Sequence, residues 1–260
     1  MKIDFHTHGK LAKNLPFSAE YTRLLLREAK ESGLDAICLT EHFNTIGFEE
    51  IYCYMLDTYE RQEDCFLAEG VKVFPGMEID IKEGGHILAV GTLEHVLSIN
   101  RDLDKFKEKD KFMPFSDLLR VLKEYDMLTG AAHAFREGSH IPYLEKELLI
   151  KLDFADLNGK DYAVKKSQAY EEIKQFAAEH NLAVVAGSDT HQSFQYGCIW
   201  NEFEKDCATL EELKQIIKSG EYGIKILEYI DFKVKTAGIL KKSLKKIHSL
   251  GGDYVSVMAV

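Results

Sequence analysis

The chain of 260 residues carries 43 Asp and Glu against 33 Lys and Arg, a net charge of −10, with 45% hydrophobic residues. That is ample material for a core, but the acidic balance argues against a general nucleic-acid or membrane-surface binder, and no run approaches the ~18 apolar residues of a membrane span. Five cysteines without CxxC spacing read as reduced thiols of a cytoplasmic protein rather than a disulfide framework, and no signal peptide is legible at the N-terminus.

In chain order, KIDFHTH reads as a strand, and SAEYTRLLLREAKESG as a helix capped by Ser18 and stopped at Gly33. LDAICLT is a second strand, and the stretch from Phe48 to about Glu69 reads as helical. VKVFPGMEID and HILAVG follow as the third and fourth strands. FSDLLRVLKEYD is a helix, MLTGAAHA and LDFADLNG are strands, and DYAVKKSQAYEEIKQFAAEHN is one long helix. NLAVVAGSDTH is a strand, and TLEELKQIIKSG opens with a capping box, Thr209 with Glu212, and stops at Gly220. The alternation predicts a largely parallel sheet covered by helices. With about seven strands, a distorted barrel is favoured over an open sheet. No repeat, low-complexity segment or linker interrupts it. We expect one catalytic domain over residues 1–220 and a C-terminal appendage over 221–260 that closes or caps the barrel.

In parallel α/β folds, functional groups gather where strands end. His6 and His8 close the first strand at i, i+2 spacing, which aims both rings to one face and Thr7 away. Glu41 and His42 close the second strand, Glu78 the third and His133 a later one. Asp189 and His191 close the last, again at i, i+2 spacing. His86 alone precedes its strand, but the turn-like KEGG at 82–85 could fold it back towards the end of the third. Any one of these histidines taken singly is better explained by a core or a loop. Chance is a poor account of six of the ten, with three carboxylates, at strand ends. His95, His140, His180 and His248 lack such partners and read as ordinary. The set exceeds the needs of one ion and points to two or three divalent ions sharing a bridging carboxylate. His/carboxylate sites accept Zn, Mn and Fe. Adjacent ions polarise a phosphoryl group and activate water, which is hydrolytic chemistry. No GxSxG, Cys–His pairing, P-loop or GxGxxG competes with that reading.

Taken in order, HTH at 6–8, TEH at 40–42, GMEI at 76–79, GGHILAVG at 84–91, AAHAF at 131–135 and GSDTH at 187–191 resemble the motifs of the PHP (polymerase and histidinol phosphatase) superfamily. The resemblance runs to about Phe203. It implies a distorted (βα)7 TIM-like barrel with a metal cluster at the strand C-termini, and phosphoester hydrolysis as the default activity. It assigns His6, His8, Glu78 and Asp189 to one ion. Glu78 bridges to another held by His86 and His133, and His42 and His191 hold a further one. Many members place an Asp or His shortly after the HxH pair. Here GKLAKNLPFS has neither, which takes a ligand from the third ion or leaves water in its place. Glu41 stands where the family often has Asp and reads as a residue orienting a His. GSDTHQSFQYG and LNG at 157–159 resemble the small PHP-type phosphoesterases.

The expected catalytic set is Glu78, Asp189, His191 and Arg136. Arg136, in HAFREG just past His133, is the candidate phosphate clamp, with a surface-loop Arg as the plain alternative. Lys10, Lys13 and Lys160 lie in nearby loops; for Lys10 and Lys13 a solvated loop is favoured. The expected substrate is a small phosphomonoester. Histidinol phosphate and nucleotides or short oligonucleotides are alternatives that the sequence does not separate. Long nucleic acid is disfavoured, because no aromatic-plus-basic stripe tracks successive bases. Amide hydrolysis in an amidohydrolase barrel is a rival, but Glu78 stands where such barrels often carry a carbamylated Lys. A non-catalytic metal-binding module is another, opposed by the nearly full ligand set. FKVKTAGILKKSLKKIHSL, with Lys233, Lys235, Lys241, Lys242, Lys245 and Lys246, reads first as a solvated helix face and second as a dock for an anionic partner or substrate tail.

Overall fold

The structure is a computed structural model and describes residues 1–258. Strand β1 (Lys2–Thr7) leads to α1 (Ala19–Glu31), which begins as expected: the Ser18 hydroxyl accepts from the Tyr21 N–H at 3.2 Å. Strand β2 (Ala36–His42) precedes α2 (Phe48–Thr58). The helix expected to reach about Glu69 ends eleven residues earlier, at Thr58. A short hairpin, β3 (Glu60–Gln62) with β4 (Cys65–Ala68), follows it and pairs onto β5 (Val71–Asp80). Glu63 takes a positive φ of 54° at the hairpin turn, a conformation no helix continues through. Next come β6 (His86–Val90), α3 (Leu93–Asp102), α4 (Phe115–Glu124), β7 (Leu128–Ala132), the one-turn α5 (Lys146–Leu149) and β8 (Phe154–Asn158). The long helix expected over 161–181 is two helices, α6 (Gly159–Lys165) and α7 (Ser167–His180), broken where Lys166 adopts φ 56°. Then follow β9 (Ala183–Gly187), β10 (Ile199–Phe203), α8 (Leu210–Ser219) with its capping box in place, β11 (Tyr222–Ile226) and α9 (Ile230–Ser249). Among the described residues no helix is long and apolar enough to cross a membrane.

The strands run β11-β10-β1-β2-β5-β6-β7-β8-β9 across the sheet. The sheet then curls back on itself: Thr7 bridges Thr190, the His8 N–H donates to the Thr190 carbonyl at 3.0 Å, and the Asp189 N–H to the His6 carbonyl at 2.7 Å. Among the described residues the nearly closed barrel thus takes seven strands, β1, β2 and β5 to β9. Outside these seven strands, β10 runs antiparallel to β1 and β11, and β4 to β5. Within them one strand departs from the expected parallel order: β6 runs antiparallel to both β5 and β7. The reversal follows from the short Lys82–Gly85 turn, which is long enough for a hairpin and too short for the helical crossover a parallel pair requires.

Side chains alternate along each strand, and this alternation divides the barrel interior into two storeys. Ala36, Cys38, Phe74, Leu88, Leu128, Phe154 and Val185 pack in one apolar cluster with Ile3 and Phe5. Moving up the same inward faces, Phe74 gives way to Glu78 and Phe154 to Asp156. Strand β1 needs a further device, because Phe5 and His6 both serve the interior. The β1–β2 register shifts between Asp4 and Thr7, and this bulge exchanges the faces. Phe5 can then close the apolar plug while His6 and His8 face the polar storey.

Candidate metal centre

Glu78 is the hub. The β2–β5 register sets it opposite His42, and the β5–β6 register sets Asp80 opposite His86. Its carboxylate is 1% exposed and faces five imidazoles. Oε1 lies 2.8 Å from His86 Nδ1 and 2.9 Å from His133 Nε2. Oε2 lies 3.0 Å from His42 Nδ1, 3.5 Å from His8 Nε2 and 3.6 Å from His6 Nε2.

Asp189 forms the second arm. Its Oδ1 lies 3.4 Å from His8 Nε2, 3.6 Å from His191 Nδ1 and 4.0 Å from His6 Nε2. Lys160 Nζ reaches the same oxygen at 2.9 Å, and Arg136 Nη1 holds Oδ2 at 2.8 Å. The backbone is unusual at two of these positions: His133 and Asp189 have φ of 32° and 55°. Positive φ in non-glycine residues is uncommon and concentrates at functional sites. Just before Asp189, a Cβ on Gly187 would meet His6 Cβ at 2.4 Å and Asp156 Oδ1 at 2.6 Å, so only glycine lets β9 approach this closely.

Outer carboxylates orient the rings. Asp156 Oδ2 lies 3.0 Å from His6 Nδ1, which leaves Nε2 directed at the cluster. Asp80 Oδ1 lies 3.0 Å from His86 Nε2 and leaves Nδ1 inward. Glu41, fully buried, accepts the N–H groups of Gly9 and His42 at 3.1 and 3.0 Å and lies 3.6 Å from His8 Nδ1. Arg136 also donates to Asp161 at 3.0 Å and to Asn158 Oδ1 at 2.8 Å, so three of its nitrogens are engaged.

The charges are strongly coupled. Burial alone would raise the Glu78 carboxyl, but His86, His42, His6 and His133 outweigh it and hold it well below the ordinary range. Burial likewise works against a charge on Asp189, and Lys160 and Arg136 overcome it, keeping that carboxyl well below its usual value. Burial opposes a charge on His86, yet Glu78 and Asp80 raise it to about 10. His6 is also raised well above its ordinary value, by Glu78 and Asp156 against burial. His133 is lowered, by burial and then Arg136, and His191 well lowered, by burial and then His8.

The donors fit divalent metal. His6 Nε2, His8 Nε2, His42 Nδ1 and Glu78 Oε2 are buried without a well-directed hydrogen-bond partner. Buried polar atoms rarely go unpaired, and here four converge. Three sets offer ligand atoms within 4.8 Å of one another: His6, His8 and Asp189; His6, Glu78 and His133; and His8, His42 and His191. His6 and His8 each belong to two sets, so the three sets are contiguous. Imidazole and carboxylate suit Zn, Mn or Fe.

The structure therefore brings all eight expected ligands, His6, His8, His42, Glu78, His86, His133, Asp189 and His191, into one cluster. His86 stands beside Glu78 because its strand is reversed. Lys13 lies 3.7 Å from Asp80 at the rim. Lys10 is buried and donates to Thr45 Oγ1 at 2.9 Å and to the Ile46 carbonyl, which makes it part of the loop scaffold rather than a solvated residue. Sequence reasoning missed Asp156 and Asp80. Each lies on the inward face two residues from another polar site residue, Asn158 or Glu78, and that period-2 signal could have found both.

Residues 4–228 match the PHP domain family. No curated protein sequence matches the chain. Among solved structures, PsfC from Pseudomonas syringae PB-5123 is similar over 94% of this chain and 98% of its own, at 22% identity and a TM-score of 0.74. The lesion-specific endonuclease PfuEndoQ from Pyrococcus furiosus is similar over 86% of this chain, at 22% identity and a TM-score of 0.62, and this chain spans 57% of its length. An endonuclease Q in complex with a 27-mer duplex bearing an abasic lesion at its active site gives 21% identity and a TM-score of 0.63, over 86% of this chain and 58% of that one.

Proposed function

This chain belongs to the PHP domain family, and from that premise we propose that it is a metal-dependent phosphoesterase hydrolysing small phosphomonoesters with an activated water. The observation that carries the reading is the hub: one buried carboxylate, Glu78, facing five histidines, with Asp189 beside them. Two or three divalent ions held there would polarise the phosphoryl oxygens and lower the pKa of a water. The residues of this chain do the rest. Glu78 would hold more than one ion, since His86 and His133 face one of its oxygens and His6, His8 and His42 the other. Asp156, Asp80 and Glu41 fix the imidazoles that face them, which sets ring orientation and tautomer. Arg136 and Lys160 both bind Asp189. Arg136, locked also by Asp161 and Asn158, keeps that carboxylate aimed. Lys160, with one partner and a flexible stem, is the better placed of the two to meet a phosphate oxygen.

A phosphodiester reading stands second. The observation favouring it is the fold likeness to endonuclease Q, which in one complex holds a 27-mer DNA duplex. This chain spans 58% of that protein's length; its net charge of −10 weakens the pull on a long polyanion. A panel of histidinol phosphate, nucleoside monophosphates, 3′,5′-bisphosphates, dinucleotides and a 20-mer separates the readings. We expect higher kcat/KM on phosphomonoesters. A 20-mer cleaved as well or better, with steep loss in salt, overturns the small-substrate reading.

A further inference from the structure

Helix α9 lies beyond the span matched by the family, which ends at residue 228. It packs against α6, which carries Lys160, and against the turn Ser193–Gln195 that follows His191. Its inward stripe is Ile230, Val234, Ala237 and Leu244. Lys241 falls on that stripe, four residues after Ala237 and three before Leu244. It is half-buried, whereas Lys242, Lys245 and Lys246 are exposed.

Among the described residues no carboxylate forms an ion pair with Lys241. The inward stripe places Lys241 on the side of α9 that packs on α6, the helix of Lys160, and on the turn after His191, beside the metal centre; the charges of Lys160, Asp189, Lys245 and Glu41 act on it there. Burial, with Lys160 next, brings it down to about 8. Two ammonium groups held near each other and partly desolvated are unfavourable unless an anion joins them. Asp189 serves Lys160 in that way, and nothing comparable serves Lys241.

We propose that Lys241, together with Lys160, forms an anion subsite at the rim of the metal centre, and that the preferred substrate is a phosphomonoester bearing a second anionic group, phosphate or carboxylate. This deepens the phosphomonoesterase reading and rests on it. The C-terminal helix then selects substrate, while the barrel carries the hydrolytic residues.

The test uses the full chain loaded with Mn²⁺, as wild type, Lys241→Gln and Lys241→Arg. Calorimetry measures binding of propylphosphonate, 3-phosphonopropionate and propane-1,3-bisphosphonate, none of which can be hydrolysed. Lys241→Gln should weaken the two compounds with a second anion by about tenfold or more, as expected for a lost charge-assisted contact, with propylphosphonate changed less than about twofold. Lys241→Arg should recover most of the loss, and metal content should stay at the wild-type level. Loss for both compounds marks a general anion subsite, and loss for the bisphosphonate alone marks a phosphate subsite. Equal changes across all three ligands, no change, or a wild type without preference for a second anion overturns the proposal. Hydrolysis of propyl phosphate is followed separately: its absence counts against the phosphomonoesterase reading, whereas the phosphonate series reads the subsite directly.

Discussion

His86 Nδ1 lies 2.8 Å from Glu78 Oε1 although His86 opens its strand and Glu78 nearly closes its own. The antiparallel β5–β6 pair makes this contact. Reversing one strand of the barrel brings its first residue to the end where its neighbours finish. Burial opposes a charge on His86, but Glu78 and Asp80 leave it raised to about 10, so in the metal-free protein it holds a proton that a metal must displace.

Loading metal at pH 7 should therefore release protons, because His86 and His6 are both raised in the metal-free form and ligating histidine is neutral. Calorimetric titration with Mn²⁺ or Zn²⁺ in buffers of different ionisation enthalpy counts them. At least one proton per chain is expected, and apparent affinity should rise with pH. Affinity indifferent to pH between 6 and 9, with no proton release, contradicts the assignment. The same shift has a stability consequence for the metal-free chain. A histidine raised from 6.5 to about 10 stabilises the fold fully below 6.5, and that contribution is lost as pH rises through about 10.

Glu78→Gln should lower metal content and turnover together. It removes the charge that faces five histidines, so more than one ion is weakened. Elemental analysis paired with hydrolysis of a chromogenic phosphomonoester is the check. A variant with full metal and near-normal turnover would show that Glu78 is no bridge.

Asp156→Asn should cost about 10–100-fold in metal affinity, the usual range for a partner that orients a ligating histidine. The residue touches His6 Nδ1 at 3.0 Å and makes no set with the other ligands. Circular dichroism should remain that of the wild type. Unchanged affinity would mean that the His6 ring is fixed by packing alone.

Much of this centre was legible in the sequence because barrel chemistry concentrates at strand ends: HTH and TEH close β1 and β2, while Asp189 and His191, expected inside the last strand, lie in the loop just after β9, which ends at Gly187. His86 did not fit that rule. Its place depends on strand direction, which hydrophobic periodicity does not encode, although the short KEGG turn carried the information. The hairpin over 60–68 escaped notice because ERQEDC has few apolar residues to alternate, and its pairing comes from β5. The bulge in β1 was invisible for a related reason: IDFHTH gives no local sign that Phe5 and His6 both turn inward. Arg136 was found near the site, but its engagement with Asp161, Asn158 and Asp189 is a long-range outcome of how β7, β8 and β9 meet.

The most direct measurement is the number of divalent ions per chain, by elemental analysis of protein purified without chelator. With eight ligands in one cluster and His6 and His8 each shared between two sets, at least two equivalents of Zn, Mn or Fe are predicted, with phosphomonoesterase activity lost on chelation and restored on adding metal back. Less than one equivalent, with no activation by any of these ions, would contradict the account.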